Sequence, residues 1–164
     1  MHPPEGPAWL VALETSGFAQ AMRHWLWLYP IVEIVHILGF VLLIGAAVMF
    51  DLRLLGLSAR IPVSDLARHL LPWSRVGLGM VAVSGISMFS AHATEWYANP
   101  AFWVKLSLIV LAGLNAWAFH RFTFPSVAIW DRGAPAPAAA RVSAIASLAL
   151  WAGVVTCGRL LAYL

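Results

Sequence analysis

The sequence is short of charge and nearly without cysteine. Only 10% of its 164 residues are Asp, Glu, Lys or Arg, against about 25% in ordinary soluble domains. So few charges exclude a disordered chain and a nucleic-acid-binding arm. Cys157 is the only cysteine, which excludes an intrachain disulfide and any disulfide scaffold. It lies in an apolar run and reads as a packing residue. Lysine is almost missing too: Lys105 stands against nine arginines. The first residues, Met1 to Pro7, carry Glu5 and three prolines in place of a basic leader, so no cleavable signal peptide is expected. Strand-like alternation is absent, which excludes a membrane barrel. Paired carboxylates in a cleft, a nucleophile elbow and a phosphate loop are all missing, so no hydrolase or transferase site is legible.

What is present is apolar surface. The chain is 62% hydrophobic, with a mean hydropathy of +0.82. A soluble globule of this size has no way to cover so much of it. The pattern specifies an all-α integral membrane four-helix bundle, one membrane domain over residues 1–164, with the lipid bilayer as its first partner. Spans are expected at about residues 31–55, 72–92, 100–122 and 138–162, each long enough to cross about 30 Å of hydrocarbon. Asn99–Pro100 starts the third span as an N-cap followed by proline, and Pro72 suits the first turn of the second. Ser64–Asp65 would begin a separate short interfacial helix. Residues 8–29 read as an N-terminal interfacial amphipathic helix. Ser16 is its candidate cap, Phe18, Met22, Trp25 and Tyr29 recur on one side, and Pro30 breaks or kinks it.

The charges give the topology. Arg53, Arg60, Arg68, Arg75, Arg121, Arg132 and Arg141 fall in two loops on one side. Arg23, Lys105 and Arg159 fall on the other. The positive-inside rule puts the arginine-rich loops in the cytoplasm. The expectation is a multi-pass protein of the bacterial inner membrane with both termini periplasmic.

Ionisable groups inside a membrane are expensive, so they are the candidates for function. Of six histidines, His2 and His24 lie outside the spans. His36 and His92 sort by depth into an outer pair, His69 and His120 into an inner one. Two histidines on facing helices of a bundle can ligate one haem iron from opposite sides. Gly39 and Gly85 would leave room for the ring. Lys105 and Arg159, with Arg23, would meet its carboxylates. His120 and His69 would hold a second haem by the same logic, with Gly113 near His120. Glu33 lies three residues before His36 on the same helix face. It is a candidate for proton handling, for fixing the tautomer of His36, or for a salt bridge to Lys105 or Arg159. Each histidine also has a plainer role, as a helix cap or an interfacial hydrogen-bonding group. Asp51 and Arg53 read as anchors at the cytoplasmic end of span one. Asn115 is placed to hydrogen-bond across helices, and Ser143 and Ser147 follow small-xxx-small packing.

Trp27-Leu-Tyr-Pro-Ile-Val-Glu-Ile-Val-His36, Asp51-Leu-Arg-Leu-Leu-Gly56, His69-Leu-Leu-Pro-Trp73, Asn99-Pro-Ala-Phe102, Asn115 and Phe119-His120 together resemble a family of small, uncharacterised bacterial membrane proteins, a domain of unknown function. The resemblance covers nearly the whole chain. More loosely, the plan is similar to four-helix membrane cytochromes b and to the copper-resistance D membrane domain, which implies haem or copper chemistry. Met-rich or Cys-containing copper motifs are missing. The leading expectation is therefore a b-type haem electron-transfer protein exchanging electrons with quinol or a periplasmic redox partner. The alternative is a non-redox membrane module without cofactor, a transporter or sensor subunit in a homo-oligomer or membrane complex. A third reading is a small proton-coupled transporter using Glu33 and His36.

Overall fold

The computed structural model describes residues 6–132 and 134–161, and these are helical throughout their regular structure. His2 lies outside the described residues. Two short helices, α1 (Ala8–Glu14) and α2 (Gly17–His24), precede the first span. α3 (Leu28–Leu54) and α4 (Val63–Ala91) follow. A single short helix, α5 (Ala93–Ala98), leads into α6 (Pro100–Ala118). A π turn (Phe119–Thr123), a 3-10 turn (Phe124–Ser126) and α7 (Val127–Trp130) continue the third span. α8 (Ala138–Leu160) is the fourth. Leu28–Leu54, Val63–Ala91, Pro100–Trp130 and Ala138–Leu160 are each long and apolar enough to cross a membrane. Ile34, Val41, Ile86, Val110 and Leu114 point outward from them, as lipid-facing side chains must.

The expected amphipathic segment is not one helix. Ser16 does cap it, accepting from the Ala19 amide at 3.3 Å, but α1 and α2 break there into two pieces. Both are pinned to the end of the bundle that carries α5 and the last turn of α8, here called the terminal face. Glu14 Oε2 accepts from the amide and the hydroxyl of Thr94 at 2.8 and 2.7 Å. Arg23 donates to the Ala91 and Glu14 carbonyls at 2.7 and 2.6 Å. Arg23 thus serves the fold, not a ring carboxylate. Pro30 breaks nothing: α3 begins at Leu28 and takes it into its first turn, where its missing N–H has no helical partner to lose.

Two expectations for the second span also fail. Pro72 lies inside α4, and Ser64–Asp65 belongs to the same 29-residue helix. The reason is a cap from far away in sequence. Asp131 accepts from the Ser64 amide and the Ser64 hydroxyl, both at 2.8 Å. Burial of Val63 and Ala67 adds to it. Tertiary contacts thus extend the helix across a proline that local preference would place at its start. α3 ends in a Schellman turn at Gly56. Gly56 has φ +108°, and Leu57 N–H reaches the Leu52 carbonyl at 3.0 Å. Arg53, 4% exposed, then donates to the carbonyls of Ile61, Ala59 and Asp131 at 2.6, 3.1 and 3.3 Å. Arg53 is the expected anchor, with carbonyls rather than charges as its partners. It and Asp131 tie the two arginine-rich loops together.

The hydrogen bonds from Ser64, first its amide and then its hydroxyl, hold Asp131 below the usual carboxylate range, with Arg132 adding to them. A lowered carboxyl contributes stability that is complete above its ordinary value of 3.8 and is lost as pH falls through the lower, folded value. Hydrogen exchange at the Ser64 amide is expected to stay slow down to that ordinary value and to accelerate below it. Unchanged exchange on acidification would remove Asp131 as the cap.

The four spans do not form a fully closed bundle. α3 packs on α4 and α8, and α8 packs on α6. Among the described residues α4 and α6 are not closely packed on each other. At the terminal face α5 bridges them. Trp96 meets Phe89 of α4 and Phe102 of α6, with ring centroids at 6.4 and 6.2 Å, and Phe89 stacks on Phe102 at 5.2 Å. At the arginine-rich face the chain closes on a buried cluster that includes Leu54, Val63, Phe119 and Trp130. Between those two plugs the α4–α6 gap remains.

Candidate functional site

His36 and His92 are on the neighbouring antiparallel helices the sequence predicts, but not at one level. His36 Nδ1 lies 2.9 Å from Ser84 Oγ, and its ring faces the open side of Gly85, where an added Cβ would meet Cε1 at 3.3 Å. His92 instead stacks on Trp96 and takes the edge of Tyr29, with centroids at 6.0 and 5.8 Å. Tyr29 precedes His36 by seven residues, and Gly85 precedes His92 by seven. Two helical turns at 1.5 Å per residue separate the two imidazoles by about 10 Å along the bundle. Ligation of one iron from both sides needs ligating nitrogens roughly 4 Å apart.

The remaining residues of that expectation agree with this register. Gly39 leaves no slot for a ring. A Cβ on it would lie 2.7 Å from Met80 Cβ and 3.0 Å from the Gly77 carbonyl, because α4 fills the space. Lys105 reaches across to α8, its Nζ 3.6 Å from where a Gly158 Cβ would be, and its charge lies within reach of His36. Arg159 is exposed in the last turn of α8. Glu33 is exposed one turn before His36, near Tyr29. No hydrogen bond joins Glu33 to His36 among the described residues. At the other face His69 is exposed, whereas His120 lies inside, against Phe119 and Phe124 with centroids at 5.3 Å each. Gly113 is also exposed and faces open space. The residues present therefore do not fit a haem held by either histidine pair. Protein expressed with added haem is expected to show no reduced-minus-oxidised b-type band that depends on both His36 and His92. A band lost equally in His36→Ala and His92→Ala would restore the pair.

The polar groups that do converge lie in the arginine-rich half of the bundle. A cavity of about 220 Å³ sits where α4 and α6 part. Its walls are mostly apolar, and six polar residues reach it: Asp51, Ser74, Asn115, His120, Ser143 and Ser147. Asn115 and Ser143 satisfy each other across α6 and α8. Asn115 Nδ2 donates to the Ser143 carbonyl at 3.0 Å, and Ser143 Oγ donates to Asn115 Oδ1 at 3.1 Å. That is the interhelical bond expected of Asn115, and of Ser143 a more polar role than packing. The π turn carries His120. Phe124 N–H bonds the Phe119 carbonyl, the wide spacing typical of π bulges, which recur at functional sites.

Asp51 is different. It is 6% exposed, Ser147 lies beside it, and its Oδ2 is buried with no partner. Native proteins leave few such groups, because each costs about 1–3 kcal/mol or more. From sequence Asp51 reads as a helix-end anchor beside Arg53. The two are two residues apart and so point to different sides of α3, Arg53 to the loops and Asp51 to the cavity. A carboxylate followed closely by arginine at a membrane boundary gives no signal that separates these roles.

Residues 14–164 match a family of unknown function, DUF6644. The chain belongs to that family. No curated protein and no solved structure matches it, so the looser likeness to cytochromes b and the copper-resistance D domain has no counterpart among them. In this DUF6644 chain the match begins at Glu14, so it takes in the latch that Glu14 makes with Thr94, all four spans and every residue of the cavity.

Proposed function

We propose that this protein is a ligand-binding membrane module, a transporter or sensor subunit, whose site is the cavity at Asp51. One observation carries the reading: a nearly inaccessible carboxyl with an unbonded oxygen, in the wall of an otherwise apolar cavity. A structural carboxylate at this depth would be paired or fully hydrogen-bonded. Intramembrane ionisable groups that are not paired mark substrate or ion pathways. The plugs at both faces leave the α4–α6 gap as the way in, so the ligand comes from the lipid. Seven of the ten basic residues lie at the cavity's end of the bundle. By the positive-inside rule that end is cytoplasmic, in the bacterial inner membrane, with both termini periplasmic.

Ala116 tests the route. It lines the cavity, is exposed, and stands at the gap, where a larger side chain blocks entry without crowding the packed core. Protein purified in mild detergent is extracted with solvent, and small molecules are counted by mass spectrometry. The wild type is expected to carry a lipid-soluble molecule near one per chain, and Ala116→Phe to carry little. Equal amounts in both, or none in either, would count against an interior site.

A further inference from the structure

We infer that the ligand is a neutral, singly ringed phenol or hydroquinone, held by its hydroxyl at Asp51 with its apolar tail in the α4–α6 gap. The inference rests on the reading of the cavity as a ligand site and names the chemistry it takes.

Size comes first. An apolar cavity of about 150 Å³ admits a benzene ring. At about 220 Å³ this one has room for a single ring with small substituents. The walls suit a flat apolar body. Phe50, Phe119 and Trp151 line it, and aromatic faces and edges pack well on a ring. The polar contact is an acceptor in need of a donor. Asn115 and Ser143 are already paired with each other, whereas Asp51 Oδ2 has no partner. A carboxyl turns easily about its last bond, since that torsion is broad and two-fold. A small rotation therefore presents the unbonded oxygen to a hydroxyl in the cavity. His120, on the π turn, also lines the cavity and supplies a second polar contact for a ring hydroxyl.

Charge decides between a hydroxyl and an ammonium as donor. Arg75 lies close enough to His120 to act on its charge, and the arginine-rich face lies just beyond. A cation entering from the lipid meets that positive field and also leaves its own hydration behind. A neutral hydroxyl pays neither cost. The lateral route argues the same way. Ala116 and Gly113 of α6 line the cavity and are exposed, and such small residues leave space for a hydrocarbon tail to pass between α4 and α6 into the bilayer.

The probes are 2-hexylhydroquinone, its dimethyl ether and hexylamine, each titrated against the purified full chain in detergent under reducing conditions, with binding read by calorimetry. The hydroquinone is expected to bind, and the dimethyl ether, which keeps the ring and tail, adds two methyl groups and has no donor, to bind about tenfold to a hundredfold more weakly in the wild type. Asp51→Leu is expected to abolish the difference between them, and Ala116→Phe to weaken both. Ether and hydroquinone binding equally well would overturn the hydroxyl–Asp51 contact. So would hexylamine binding at Asp51 in preference to hydroquinone. In either case the cavity would still be a ligand site. Failure of all three probes together with a failed solvent-extraction result would overturn both readings. Failure of the probes alone, with a molecule recovered by extraction, would overturn only the ring chemistry.

Discussion

Replacing Gly77 by valine is expected to unfold the α3–α4 pair or to lower the stability of the protein by about 3 kcal/mol, the upper end of overpacking costs. A Cβ at Gly77 would lie 2.6 Å from the Gly39 carbonyl, 2.7 Å from the Leu43 amide nitrogen and 3.0 Å from Leu42 Cβ. Two of those atoms are backbone and have no rotamer to move into. Gly39 on the facing helix is equally tight. Small residues that allow backbones to approach are the usual basis of packing between membrane helices. The sign is not automatic. A glycine in a helix costs up to about 1 kcal/mol relative to alanine, so any substitution recovers part of that amount. At Gly77 the clash is larger and wins. Gly79, two residues on, is the control, because an added Cβ there meets nothing within 4 Å. Gly79→Ala is expected to be neutral or stabilising by up to about 1 kcal/mol. Equal effects at Gly77 and Gly79 in thermal unfolding would contradict the close contact.

This contact also shows why Gly39 leaves no ring slot beside His36, where sequence reasoning on depth alone placed one. Gly39 one turn from His36 looks the same in sequence whether the slot it leaves is filled by a ring or by a neighbouring helix. Here α4 fills it. Depth along a helix was legible, since His36 and His92 do lie in the half of the bundle expected of them. Register between helices was not. It depends on how far α4 runs past the turn at Gly56, and that is set by Asp131, which caps Ser64 from 67 residues away. The sequence put the start of that helix at Pro72, nine residues late. The four spans, the Ser16 cap, the Asn99–Pro100 start and the Asn115 bond were legible because each rests on local spacing or on a strong composition signal. The cavity was not, because it exists only where two spans fail to meet.

The two carboxylates near the arginine-rich face make the contrast that matters for function. Asp131 is exposed to solvent in part and accepts two short bonds that build the fold. Asp51 is buried and leaves an oxygen unused. One arrangement stabilises the resting protein. The other costs it stability, and a cost of this kind persists where binding requires it.

Thermal unfolding of Asp51→Leu in the ligand-free, detergent-solubilised protein tests that claim most directly. The cavity has room for the larger side chain, and the change removes an unbonded buried oxygen worth about 1–3 kcal/mol of penalty while adding apolar burial of about 25 cal/mol per Å². The account predicts a midpoint above wild type, by about 2 °C or more for a gain of this size in a chain of this length. A midpoint below wild type would mean that Asp51 holds the bundle together, and the cavity would then be a packing defect around a structural carboxylate.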